Sequence, residues 1–176
     1  FEFPDRIQLH RLDHMRVFLP SGKSYNFDLD AFAGHRLQFE GYLAEKAVEA
    51  GAEIRMSEPV TNVKRRTKTD SLLIVTEKGR YTCDLLIDAS GSLAHVARCL
   101  HGKDKDYRPA DQVPTAYAEV RGNVPETFDV FLGSVAPIGY AWIIPKGPDT
   151  ANVGLGVRAG ALKGSVKEHL QQFCED

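Results

Sequence analysis

In Pro137-Ile138-Gly139-Tyr140-Ala141-Trp142-Ile143-Ile144-Pro145 and the following Ala151-Asn152-Val153-Gly154-Leu155-Gly156-Val157, residue character alternates with the period of a β-strand. One face of the first strand carries Tyr140, Trp142 and Ile144; one face of the second carries Asn152, Gly154 and Gly156. The first surface is bulky and the second nearly bare. Interior glycines weaken a strand, so two on one face point to close approach of something to the backbone. An apolar ligand would serve. So would Trp142 filling a core, with the glycines admitting a bulge or a neighbouring strand.

Outward from this pair, strands are expected at Thr115 to Arg121 and Phe128 to Leu132, making residues 106–160 an antiparallel sheet. Residues 1–34 also read as antiparallel material: strands from Arg6 to Leu12 and Arg16 to Leu19, a Pro20-Ser21-Gly22 turn, then a strand from Ser24 to Leu29. Between these blocks, residues 35–105 change character. Phe39, Leu43 and Ala47, with Tyr42, form the stripe of an amphipathic helix closed by Gly51. A short strand is expected at Ala52 to Arg55, and a β-meander over Val60 to Lys64, Ser71 to Thr76 and Tyr81 to Cys83.

Leu85-Leu86-Ile87 is a continuous apolar run of the kind that a parallel strand buried on both faces requires. It leads through Asp88-Ala89-Ser90-Gly91-Ser92 into a helix with the stripe Leu93, Val96, Ala97 and Leu100. Such strand-turn-helix junctions are where α/β sheets bind ligands. Asp88 would there bond a ligand hydroxyl, or would simply cap the turn. A polar loop runs from Lys103 to Asp111, and residues 161–176 begin a helix at the capping box Ser165-Val166-Lys167-Glu168.

The chain has 176 residues, enough to bury about 70% of its unfolded surface in one or two domains. It opens on Phe1, with methionine only at Met15 and Met56, so an excised or processed piece is expected. With 22 Lys plus Arg against 24 Asp plus Glu, the formal charge of -2 gives no field to attract nucleic acid. The cluster Lys64-Arg65-Arg66 with Lys68 reads as solvated charge near a turn. No apolar run reaches membrane-spanning length and no leader precedes the first strand, so membrane contact would be peripheral and the location cytoplasmic. Three cysteines, Cys83, Cys99 and Cys174, without C-x-x-C spacing fit a reduced compartment. His95, Cys99 and His101 lack the companion ligands of a metal site, so no metal is expected.

The order of motifs resembles one family. Arg36-Leu37-Gln38-Phe39 opens a helix, Leu86-Ile87-Asp88-Ala89-Ser90-Gly91 forms a junction ending at Arg98, and the Tyr-Ala-Trp and Ala-Asn-Val-Gly-Leu-Gly-Val strands follow. Together they resemble the geranylgeranyl reductase family of FAD-dependent oxidoreductases, on the p-hydroxybenzoate hydroxylase type of fold. The implied architecture is mixed α/β: part of a three-layer FAD-binding domain interleaved with an antiparallel-sheet substrate domain. Such enzymes reduce isolated double bonds of polyprenyl chains, with electrons from NAD(P)H or ferredoxin.

The resemblance further implies Arg36 near the FAD phosphates, Val60 at the adenine, and Asp88 and Gly91 along the ribityl or diphosphate region. Pro137, Tyr140, Trp142 and Pro145 would wall an isoprenoid tunnel, faced by Gly154 and Gly156. The departures are Ile144 for a family phenylalanine, Ala94 for serine and Glu40 for aspartate. A G-x-G-x-x-G unit is absent, so weak or no FAD binding by this chain alone is expected. No catalytic side chain stands out; Tyr140 as proton donor competes with Tyr140 as aromatic wall. A flavin monooxygenase or halogenase of the same fold, acting on an apolar substrate, and a noncatalytic apolar-ligand module are the alternatives.

Overall fold

The computed structural model describes residues 3–4, 6–7, 9–67, 69–101, 112–161 and 164–175. The Lys103 to Asp111 loop and Lys68 lie outside these. Its order of elements is β1 (Leu9–Phe18), β2 (Ser24–Gly34), α1 (Arg36–Glu49), β3 (Val60–Arg65), β4 (Leu72–Thr76), β5 (Arg80–Cys83), α2 (His95–His101), β6 (Thr115–Arg121), β7 (Phe128–Phe131), β8 (Gly139–Pro145), β9 (Thr150–Val157) and α3 (Val166–Glu175). The chain forms two compact units, Phe1–Lys46 with Pro109–Asp176, and Ala47–Arg108.

The first unit is built on a six-stranded sheet of order β2-β1-β7-β8-β9-β6. The two blocks read as separate antiparallel material are thus one mixed sheet. They join where β1 runs parallel to β7, with Met15 opposite Phe128 and Phe18 opposite Phe131. The expected pair of strands around residues 6–19 is instead one strand, β1. Its register with β2 slips between Leu12 and His14, where Leu12 faces Ala31 and His14 faces Asp28, so β2 carries an extra residue there. That irregularity continues the ladder rather than ending it, which carries β2 on to Gly34.

One face of this sheet makes the core. Ala141, Ala151, Leu155 and Val157 are wholly buried there, and Leu170 and Phe173 of α3 close over them. Each buried Leu or Val contributes about 1.5–3 kcal/mol relative to exposure. The start of α3 forms as its sequence dictates: Ser165 N–H donates to Glu168 Oε2 at 2.8 Å and Glu168 N–H donates to Ser165 Oγ at 3.2 Å. Hydrogen bonding to the Ser165 backbone N–H, and next to its hydroxyl, holds the Glu168 carboxyl below its usual pKa.

Among the described residues Asp129 is a charged residue buried in the core, 3% exposed. Arg16 binds it through Nε (3.2 Å) and Nη2 (2.6 Å), and Thr127 Oγ1 donates at 2.6 Å. Arg16 and Asp129 face one another across the parallel seam, so this fork locks β1 onto β7.

In the second unit β3, β4 and β5 form the expected antiparallel meander, and α2 packs on β3 over Val63 and Val96. Glu58 accepts from Thr76 Oγ1 (2.6 Å) and Tyr81 Oη (2.7 Å), which lowers its pKa and raises that of Tyr81. Gly51 ends α1 at φ 93°, its N–H donating to Val48 O while that of Ala52 reaches Ala47 O.

Two expectations fail here. Ala52 to Arg55 is not a strand, because none of the described strands pairs with it. Leu85-Leu86-Ile87 is not one either, and Leu85 and Ile87 are 79% and 81% exposed. A run apolar on both sides calls for strand neighbours and cover on two faces, and the described residues supply neither.

Candidate functional site

The sheet face opposite α3 carries the aromatic surface. Strand registers align Tyr25, Val17, Val130, Trp142, Gly154 and Tyr117 in one row across all six strands. The neighbouring row holds Phe27, Met15 and Phe128 on one side and Ile144, Asn152 and Glu119 on the other. Both rows are apolar for most of their width.

Trp142 is fixed rather than loosely packed. Its indole N–H donates to Asn152 Oδ1 at 2.8 Å, and the ring lies across Gly154, its register partner. A Cβ on Gly154 would sit 2.6 Å from Trp142 Cε2 and 2.8 Å from Tyr117 Cβ. The close approach that the glycine permits is therefore made by the protein's own aromatics. At Gly156 the crowding is milder, with Val113 Cγ1 3.3 Å from the added carbon. Tyr140 stacks obliquely on Trp142, ring centroids 5.7 Å apart, and remains half exposed.

Pro145 departs from expectation. It is fully buried and shares strand parity with Ala141 and Ile143, so it belongs to the core face, away from Trp142. Pro137 lies half buried in the turn that leads into β8.

A cavity of about 580 Å³ opens on the aromatic face beside the start of α1. Leu29, Phe32, Leu37, Phe128 and Ile144 give it apolar walls, and Tyr117 and Asn152 border it. Its polar end is a cluster that the sequence did not reveal. Lys146 Nζ lies 3.0 Å from His35 Nδ1 and 3.3 Å from Glu119 Oε2, and the lysine side chain is only 11% exposed. An ammonium has no acceptor lone pair, so Nδ1 accepts and the imidazole carries its proton on Nε2. These residues are separated by up to 111 positions, and no motif links them.

Of the residues implied for a cofactor, Arg36 belongs to the first unit and Val60, Asp88 and Gly91 to the second. Arg36 opens α1 at the cavity edge, exposed and paired with Glu40, which raises its pKa. Val60 begins β3 opposite Thr76. Asp88 accepts from Ser90 N–H (2.9 Å) and Ala97 N–H (2.8 Å), and hydrogen bonding to the Ser90 side chain, together with these two bonds, lowers its pKa. It thus performs the turn-capping task. Gly91 takes φ 79°, with open space where a side chain would begin. On α2, Cys99 Sγ is 3.9 Å from His95 Nε2, and no group of three or more metal-ligand side chains gathers among the described residues. Among those residues no helix is long and apolar enough to cross a membrane.

Residues 112–176, which include β6 to β9 and α3, match the geranylgeranyl reductase catalytic domain. Digeranylgeranylglycerophospholipid reductase 1 of Methanothermobacter thermautotrophicus is 34% identical over 180 residues, covering 94% of this chain and 44% of that protein. The crystal structure of a geranylgeranyl bacteriochlorophyll reductase-like protein from Thermoplasma acidophilum superimposes with a TM-score of 0.79 at 24% identity, over 99% of this chain and 47% of the other. A flavin-dependent halogenase gives 0.72 at 17% identity, over 96% and 33%. At such identities the two structures establish the fold alone. The chain spans somewhat under half the length of the curated relatives it matches. With the catalytic-domain match and this near-complete similarity, the chain belongs to the geranylgeranyl reductase family.

Proposed function

We propose that this chain supplies the substrate-facing sheet of a FAD-dependent oxidoreductase that reduces isolated C=C bonds in polyprenyl groups of lipids. The observation that carries the proposal is the row of apolar side chains crossing six strands and ending at Tyr117, which borders the cavity. A flexible isoprenoid gains about 25 cal/mol for each Å² of apolar surface it buries on such a face. The names of the matched relatives support the reductive chemistry. Tyr140, Trp142 and Ile144 would position the chain, and the apolar walls would exclude water from the double bond.

FAD, when bound, supplies the redox chemistry. On this reading Arg36, in the first unit, is assigned to phosphate and, within the second unit, Asp88 and the open left-handed turn at Gly91 to a polyol close to the backbone. With no G-x-G-x-x-G segment in the sequence, this chain by itself holds FAD weakly or not at all. The electron donor is NAD(P)H or ferredoxin, and contact with the lipid-bearing membrane is peripheral.

The test is a chimera in which this chain replaces the matching 44% of the Methanothermobacter relative. Loaded with flavin and reduced under nitrogen, it is expected to add one H2 per double bond to a geranylgeranyl ether lipid, read by mass spectrometry. Flavin binding without any mass gain would overturn the substrate assignment. Substrate-dependent oxygen consumption would favour monooxygenase or halogenase chemistry instead.

A further inference from the structure

The polar end of the cavity has a definite hydrogen-bonding character. Lys146 has three ammonium protons; one points to Glu119 and one to His35, which leaves one N–H to be satisfied. His35, with its proton on Nε2, offers a second donor. Lys146 lines the cavity and is nearly enclosed, so leaving that proton without an acceptor is costly. Whatever occupies the cavity therefore profits from an oxygen acceptor at this end. The charge here is balanced as well, since Glu119 lies against Lys146. A multiply charged anion seated on Lys146 would stand next to the Glu119 carboxylate and be repelled by it.

We infer that Lys146, positioned by His35 and Glu119, anchors the uncharged oxygen-bearing end of an amphiphile, such as an alcohol or ether, whose apolar chain runs along the aromatic face. Free diphosphate esters are disfavoured at this anchor. The inference rests on the apolar-ligand reading of the cavity and adds to it which end group is accepted. Lys146 is a binding and positioning residue; it is assigned no bond-making step.

Trp142 is the single tryptophan and its partner Asn152 borders the cavity, so intrinsic fluorescence reports occupancy. The full chain is titrated with geranylgeraniol, geranylgeranyl diphosphate and the hydrocarbon squalene. Wild type is expected to bind the alcohol more tightly than the diphosphate. Lys146→Met, which keeps the apolar stem, is expected to weaken the alcohol about tenfold, the loss of one hydrogen bond to a charged group, and to leave squalene unchanged. Glu119→Gln is expected to narrow the gap between alcohol and diphosphate. Lys146→Gln, with near-ultraviolet circular dichroism matching wild type, guards against an effect of misfolding and should recover part of the alcohol affinity. Equal loss of alcohol and squalene in Lys146→Met, unchanged alcohol binding, or tighter diphosphate binding in wild type would each overturn the anchor. Failure of all three compounds to alter the fluorescence would overturn the apolar-ligand reading and the anchor with it.

Discussion

Replacing Gly154 by alanine adds one carbon to the most crowded point of the aromatic face. That carbon would lie 2.6 Å from Trp142 Cε2 and 2.8 Å from Tyr117 Cβ, whereas carbon atoms pack at about 3.5–4.0 Å. Roughly 1 Å must be found on both sides at once. Tyr117 Cβ moves only with β6, and the indole is tethered to Asn152, so neither neighbour yields as a free side-chain tip would. Overpacking of this kind costs about 1–3 kcal/mol. For a protein of this size, about 2 kcal/mol lowers the transition by roughly 4–8 °C. Urea unfolding measures the lost stability and thermal unfolding the lowered transition, while Trp142 emission reports the displacement, since an indole pushed off Gly154 meets more water and emits further to the red. Because Trp142→Leu removes the single indole, these variants are followed by far-ultraviolet circular dichroism, and the cost of the double variant Gly154→Ala, Trp142→Leu should fall short of the sum of the singles by about 1 kcal/mol, because the two sites share one contact. Stability within about 0.5 kcal/mol of wild type with unchanged emission would refute the reasoning.

Two further outcomes follow from buried charge. Arg16→Met leaves the Asp129 carboxylate without its fork and should cost about 2 kcal/mol in urea titrations, moderated because Arg16 is 37% exposed; a loss below about 0.5 kcal/mol would contradict the seam lock. Glu58 has its folded-state pKa depressed by the hydroxyls of Thr76 and Tyr81, so its stabilising contribution is present above the unfolded value of about 4.3 and is lost as pH falls through the lowered folded value. Glu58→Gln should therefore flatten the acid limb of the stability profile, and an unchanged limb would refute the assignment.

Local signals in the sequence were legible where local physics sets the outcome. Alternation placed Tyr140, Trp142 and Ile144 on one face, the capping box placed the start of α3, and Gly51 marked the end of α1. Pro145 shows the limit of reading a motif as a block: strand parity sends it to the core although it adjoins the aromatic face in sequence. Leu85 to Ile87 shows a second limit, since composition reports the environment a segment demands and not whether its neighbours are at hand. The cavity's polar end was illegible because His35, Glu119 and Lys146 meet only after the hairpin and the later strands share one sheet. No spacing rule spans that distance. Asn152 was on the expected face, but its bond to the indole became visible only with the register.

The parallel seam has a consequence for the order of events on the ribosome. Arg16 and Asp129 are 113 residues apart, so the β1-β2 hairpin is synthesised long before its mate exists. At about 5–20 residues per second, it waits roughly 6–23 s for β7 to emerge. Throughout that interval its aromatic side, Tyr25, Phe27 and Met15, has no sheet to join. A newborn hairpin of this composition is a natural client for chaperones, and slowing translation between residues 34 and 128 should lengthen its exposure and lower the soluble yield.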